Sequence, residues 1–187
     1  KHDVIDYIVQ GREMYLASLG PTYNTGKRLL ALRTANSPEG DPGRVDWSET
    51  TPLIGWFQSN GEPTRRRLSG QIATDGRFFY LQLTEQTPSV LTSTEDFTSG
   101  DCWQVLFAQK PGAEYGALLV NPEGKFRSYT RGGVGITPAG GQPWDCGATV
   151  TSTTTDGKWV TRLALPLARP LLSRVARVLL DAGLVPR

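Results

Sequence analysis

A chain of 187 residues can bury a core of its own, and one domain plus an appendage is the natural count. Only 38% of its residues are hydrophobic, and 21 Gly with 13 Pro favour many turns, a balance suited to an all-β domain of short strands. A net charge of +2 with both signs mixed leaves no nucleic-acid footprint. No apolar run approaches the roughly 20 residues of a membrane span, so neither nucleic acid nor membrane is expected as a partner. No signal peptide is visible, and Lys1 in place of an initiator Met reads as a processed or excised fragment.

Residues 1–20 carry Val4, Ile5, Ile8, Val9, Tyr15, Leu16 and Leu19 at helical spacing, with Asp3 as a cap and Gly20-Pro21 as a stop. Leu29-Leu30-Ala31-Leu32 is a second apolar run, and Ser37 to Gly43 reads as a linker. Residues 1–44 are therefore expected to be a short helical arm, or the tail of a preceding domain, followed by a linker. Residues 45–187 are expected to be an antiparallel β-sandwich of immunoglobulin-like or jelly-roll type.

Trp47 reads as core, its indole N–H needing a partner. The run Arg65-Arg66-Arg67 reads as a solvated edge that also shields a strand from pairing. Arg67 to Thr74 and Phe78 to Leu83 flank Asp75-Gly76, a strong hairpin signal expected to form a type I′ turn. In the second arm Phe79, Leu81 and Leu83 share one face, and Phe78, Tyr80 and Gln82 the other. Asp101 opens a strand on which Trp103, Val105 and Phe107 share a face. Asn121-Pro122-Glu123-Gly124 predicts another hairpin, and Asp156-Gly157 a third between Thr149–Thr155 and Trp159–Leu165. Gly132 to Gly147, with six Gly and two Pro around Trp144, predicts a long irregular loop. Leu171 to Leu180 has helical spacing. The terminal Leu184-Val185-Pro186-Arg187 matches the residues left by thrombin at an engineered site, or matches them by chance.

Cys102 and Cys146 are the only cysteines, 44 positions apart, with no metal-site spacing. They read either as two buried thiols or as a disulfide stapling the glycine-rich loop, worth roughly 3–4 kcal/mol on the chain-entropy model. The disulfide is the expectation, and it fits an exported, secreted or periplasmic, protein.

The succession of Trp47, Phe79-Tyr80-Leu81, Asp101 before an apolar strand, Asn121-Pro122-Glu123-Gly124, and Gly157-Lys158-Trp159 before Leu163-Ala164-Leu165-Pro166 resembles the family 9 carbohydrate-binding modules and their DOMON-like relatives. The resemblance covers residues 45–170. It implies a β-sandwich, often appended to secreted polysaccharide-degrading enzymes. Some members carry structural calcium and other DOMON-like members bind haem; no other cofactor is implied. Family 9 modules clamp sugar between aromatic rings. Here Phe97 is the ring nearest the first of those positions. Gln104 and Arg162 stand where the family has glutamates, and no aromatic after Leu165 matches its last ring.

Trp144, beside Gln142 and Asp145, reads as the main sugar platform or as a plug closing the end of the sandwich. Trp56, near Gln58 and Asn60, reads as a second platform or as a core residue. Gln104, Tyr129 and Arg127 are the expected polar contacts from the sheet. Trp103 and Trp159 read as core. Catalysis has little support: His2 is the only histidine, which excludes a Ser-His-Asp or Cys-His arrangement in the domain. Glu95 with Asp101 is an example of the acid pair that glycoside hydrolysis would need, but a loop and a strand start account for both. Met14, the only methionine, lies outside the sandwich, so a His/Met haem ligation is not available there. The reading is a non-catalytic carbohydrate-binding module of a larger exported polysaccharide-active protein. Its rivals are a structural domain packing on a neighbouring catalytic domain, and a haem redox domain.

Overall fold

A computed structural model of the chain describes residues 33–34, 38–53, 56, 62–86, 91–95, 97, 99–108, 115–131 and 141–168. The helical patterns at 1–20 and 171–180, the apolar run at 29–32 and the C-terminal tetrapeptide lie outside these residues. Among the described residues, helix is confined to two single 3-10 turns, Pro42–Arg44 and Trp47–Glu49, capped by Asp41 and Asp46, and no helix is long and apolar enough to cross a membrane.

Among the described residues ten strands build two sheets, as the expected all-β sandwich requires. They are β1 (Arg33–Thr34), β2 (Thr51–Leu53), β3 (Arg67–Thr74), β4 (Phe78–Gln86), β5 (Trp103–Ala108), β6 (Tyr115–Val120), β7 (Phe126–Arg131), β8 (Gln142–Pro143), β9 (Thr149–Thr155) and β10 (Lys158–Pro166). The larger sheet runs β1-β3-β4-β10-β9, with β2 also on β3; the smaller runs β5-β6-β7-β8. Every one of these pairings is antiparallel except the short β1 on β3.

The two Asp-Gly turns differ. At β9–β10 both Asp156 and Gly157 have positive φ (52° and 68°), and Thr155 pairs with Lys158, as a two-residue type I′ turn demands. At β3–β4 only Gly76 is left-handed (φ 84°), and the last pair is Thr74 with Phe79. The expected type I′ turn is thus replaced by a longer loop. Asp75 Oδ1 organises it, accepting from the backbone N–H of Arg77 and of Phe78 at 2.9 and 2.8 Å.

Period-two alternation decides which side chains meet between the sheets. Ile72, Leu81, Leu83, Leu163 and Leu165 from the larger sheet meet Phe107, Leu118 and Val120 from the smaller, with Cys146 among them. Trp103 of β5 lies on Trp159 of β10, ring centroids 5.3 Å apart, and Phe79 meets Phe107 edge-on at 6.0 Å.

The larger sheet is also covered on its outer face. Val45, Ala73, Tyr80 and Ala164 form a second cluster, with Trp47 and Phe78 against it. Pro38 and Pro42 are fully buried, so the segment read as a linker is packed on the body. The Trp47 indole N–H donates to the Pro42 carbonyl at 3.1 Å. The Tyr80 hydroxyl donates to Asp75 Oδ2 at 2.6 Å and accepts from the Gly40 N–H at 3.0 Å. It therefore ties this segment to the β3–β4 loop.

The inward series Phe79, Leu81, Leu83 continues to Glu85, which is 3% exposed. Its carboxylate is held on both oxygens by Arg66, Nε and Nη2 each at 2.6 Å. Of the three arginines read as a solvated edge, Arg66 alone among the described contacts makes this pair.

Two outcomes follow from these contacts. Replacing Tyr80 by Phe strands the Gly40 N–H and Asp75 Oδ2, and chemical denaturation should show a loss of about 1–3 kcal/mol. Burial first, and the hydrogen bond to Asp75 second, raise the Tyr80 phenol above its ordinary range. The folded state thus holds this proton more tightly than the unfolded one. Its stability contribution is full below pH ~10 and falls as pH rises beyond it; Tyr80→Phe should show a shallower alkaline loss. Arg66→Ala leaves the Glu85 carboxylate buried without its partner. Because Arg66 is 57% exposed and water can partly replace it, the expected cost is about 1–3 kcal/mol, less than the ~3–5 of a fully buried pair.

Candidate functional site

The smaller sheet presents one face to the core and the other outward. Strand β6 is buried on both faces along its whole length. Leu118 and Val120 point to the core; Tyr115, Ala117 and Leu119 join Phe97 and Tyr129 in a third cluster on the outer side, with Cys102 against it. Phe97 comes from the polar loop ahead of β5. Its φ of 59° is uncommon for a bulky residue and folds its ring down onto the sheet, where it is 7% exposed.

Around this aromatic floor stand polar side chains from the two flanking strands. Register places Gln104 of β5 opposite Leu119, and Leu119 opposite Arg127 of β7, so all three share the outer face. Gln104 Nε2 donates to the Tyr129 hydroxyl at 3.0 Å. The Arg127 guanidinium lies over the Phe97 ring, 5.4 Å from its centroid, a cation–π geometry. Gln104 and Arg127 are exposed, Tyr129 is buried, and a side chain at Gly141 would collide with the Tyr129 ring. Leu106, 46% exposed, adds an apolar patch beside Gln104. The face therefore offers amide and guanidinium groups over buried rings, a surface able to hydrogen-bond hydroxyls while contacting C–H groups.

Three of the five expected contact residues, Gln104, Tyr129 and Arg127, are thus brought together. The two tryptophans are elsewhere. Trp144 and Trp56 both pack against the inter-sheet core. The Trp144 backbone is pinned to Ser128, its N–H donating to the Ser128 carbonyl at 3.1 Å and its carbonyl accepting from the Ser128 hydroxyl. Trp56 lies 6.4 Å from Trp103, centroid to centroid.

The expected disulfide is not formed; both cysteines are free. Cys146 is buried between the sheets, whereas Cys102 packs against the cluster on the opposite face of the smaller sheet. The sheet itself separates the two sulfurs. Burial, and next the Asp101 carboxylate, raise the Cys102 thiol above its usual range. Among the described residues no three His, Cys, Asp or Glu side chains gather where a metal ion would sit.

Sequence reasoning missed Phe97 as the organiser of this face, since nothing local announces a left-handed phenylalanine. It also missed a polar row on the outer face of the larger sheet: Arg162 Nε donates to Gln82 Oε1 at 2.6 Å, Gln82 Nε2 to Gln71 Oε1 at 2.7 Å, and Gln71 Nε2 to the Trp47 carbonyl at 2.5 Å. Their shared parity across β3, β4 and β10 is the signal that would have found it.

No family model matches the chain, and no curated protein matches it in sequence. Solved structures do match. One is a family 9 carbohydrate-binding module from Caldicellulosiruptor kristjanssonii in complex with glucose, with TM-score 0.54 and 14% identity over 74% of this chain and 69% of that one. Another is such a module from the same organism in complex with cellotriose, with TM-score 0.53 and 13% identity over 74% of this chain and 67% of that one. At these identities the likeness is one of fold: the chain has the β-sandwich fold of the family 9 carbohydrate-binding modules.

Proposed function

We propose that the chain is a non-catalytic carbohydrate-binding module of a larger secreted or periplasmic protein that acts on polysaccharides. The observation that carries this is the outer face of the smaller sheet, where Gln104 and Arg127 stand exposed over the Phe97 and Tyr129 rings. Modules of the same fold have been solved with glucose and with cellotriose, which supports a β-glucan fragment as ligand. In this reading Gln104 and Arg127 take sugar hydroxyls, Leu106 meets the C–H face of a ring, and Tyr129 fixes the Gln104 amide. Fixing these groups before binding lowers the ordering cost. Trp144 and Trp56, set against the core, support the scaffold.

A second reading is favoured by the exposure of Leu106 and Phe126, 46% and 40%. These side chains would suit a domain that packs on a catalytic neighbour of the same polypeptide and binds no sugar.

Calorimetric titration with cellotriose separates the two. Binding is expected, and Arg127→Ala and Gln104→Ala should each weaken it about fivefold to tenfold, roughly 1–1.4 kcal/mol. Both side chains are exposed, so the melting temperature should barely move. Wild-type chain that binds neither cellotriose nor other soluble glucans, or variants that bind as wild type does, would sink the carbohydrate reading of this face.

A further inference from the structure

The outer face of the larger sheet carries a second polar surface, on the opposite side of the sandwich from Gln104 and Arg127. Register aligns Arg162 with Gln82 and Gln82 with Gln71. Hydrogen bonds chain the three side chains together and end on the Trp47 carbonyl. This chain uses one N–H of the Arg162 guanidinium, at Nε. The Nη1 and Nη2 groups, four donors in all, have no partner among the described residues, and Arg162 is half-buried rather than enclosed. A solvated arginine is ordinarily free to swing; this one is fixed at its Nε, which lowers the ordering cost of a ligand's contact with its end.

The charge of the face is one-sided. Besides Arg162, its outward positions hold Arg67 and Lys158, both exposed, with Gln86 between them. The only acid on β3, β4, β9 and β10 is Glu85, which points to the core and is held by Arg66. In the adjoining turns Asp46 caps Ser48 and Asp75 holds the β3–β4 loop, which leaves Glu49 and Asp156 at the rim. Other cations of the domain are paired, Arg44 with Glu39 and Lys125 with Glu95 and Glu123. Arg67, Lys158 and Arg162 make no ion pair among the described residues.

Three unpaired cations select an anion, and the groups between them narrow its kind. Thr151 and Thr153 of β9 and Ser69 of β3 are exposed on the same face, so hydroxyls and an amide stand among the charges. Nucleic acid would need exposed rings on which bases stack, whereas Phe78 and Tyr80, the rings of this face, belong to the cluster around Val45 and Trp47. An anionic bilayer would need apolar side chains to insert, and Val160, half-buried, is the one such group outside that cluster. An acidic peptide gains its main-chain bonds at a sheet edge rather than on a face. A polymer with both carboxylates and hydroxyls fits what is offered. Its planar carboxylate matches two parallel N–H groups of Arg162, and its hydroxyls meet the threonines and Gln86. Lys158 lies four residues from Arg162 along β10, roughly 13 Å, and two strand spacings from Arg67, about 10 Å. Cations so spread suit a chain rather than a single ring.

We infer that the outer face of the larger sheet binds a carboxylated polysaccharide, a uronate polymer, with Arg162 as its anchor. The site shares no residue with the Gln104–Arg127 face, and it stands whether or not that face binds cellotriose.

The test is a calorimetric titration of the full chain with hexagalacturonate, beside its methyl-esterified form and dextran sulfate, at 0.05 and 0.5 M NaCl. Saturable binding of hexagalacturonate is expected, weakened by salt and lost on esterification. Arg162→Gln should weaken it about tenfold, the effect of a charge-assisted pair. Arg162→Lys should weaken it also, since charge remains but the fork is gone. Arg162→Gln should leave cellotriose titrations as they are in the wild type. The double variant Arg67→Gln/Lys158→Gln changes only exposed side chains, so its melting temperature should hold while uronate binding falls about fivefold. That variant keeps the test open should Arg162→Gln fail to fold. Dextran sulfate binding as tightly as hexagalacturonate would reduce the face to a charge-only surface and overturn the inference. So would folded Arg162 or Arg67/Lys158 variants that bind hexagalacturonate as the wild type does, no binding by the wild type, or binding abolished by Arg127→Ala, which would place the ligand on the other sheet.

Discussion

The two sheets share no strand among the described residues and no ladder of hydrogen bonds. Their alignment rests on side chains that fill the space between them. Apolar burial is not directional, so specificity comes from the strict alternation of β4, β6 and β10 and from a few large rings. A one-residue slip of any of these strands would turn its apolar set outward. Trp103 on Trp159 and Phe79 on Phe107 set the spacing at two places along the interface. Between them lie leucines that adapt to it.

Both sheets also carry a second cluster on the side away from the core. The coverings differ in kind. Over the larger sheet it is a chain segment rich in Pro and Gly, fixed through the Tyr80 hydroxyl. Over the smaller it is one ring, Phe97, delivered by a loop. A lighter covering leaves Gln104 and Arg127 at the surface while β6 beneath them stays dry. The functional reading of that face depends on this arrangement, because polar groups on a rigid, dehydrated floor lose little freedom when they engage a ligand.

Much of the fold was legible from residues. The alternation of Phe79-Leu81-Leu83 and Trp103-Val105-Phe107 marked the inner faces, and Asn121 to Gly124 and Asp156-Gly157 marked the turns. Asp75-Gly76 misled because a Thr-Asp-Gly sequence supports either a two-residue turn or a longer loop held by the aspartate side chain, and the choice was made by Tyr80 from across the loop. The loop tryptophans were ambiguous for a related reason. A glycine-rich stretch around Trp144 says the backbone is free to bend but not toward which side the indole turns. The sheet parity set through Ser128 decided it. The disulfide expectation failed on parity too, since spacing along the chain carries no information about which face of a sheet a cysteine occupies. Glu85, by contrast, was available to anyone extending the inward series by one step.

The two cysteines on opposite faces of one sheet have a further meaning for how the domain is made. A fold that needs no oxidation step reaches its native state equally in a reducing or an oxidising compartment. Cys146, enclosed among leucines and phenylalanine, acts as a small apolar filler. Only Cys102, at the margin of the outer face, keeps a thiol near solvent, which gives the domain one natural attachment point for a reporter beside the proposed ligand surface.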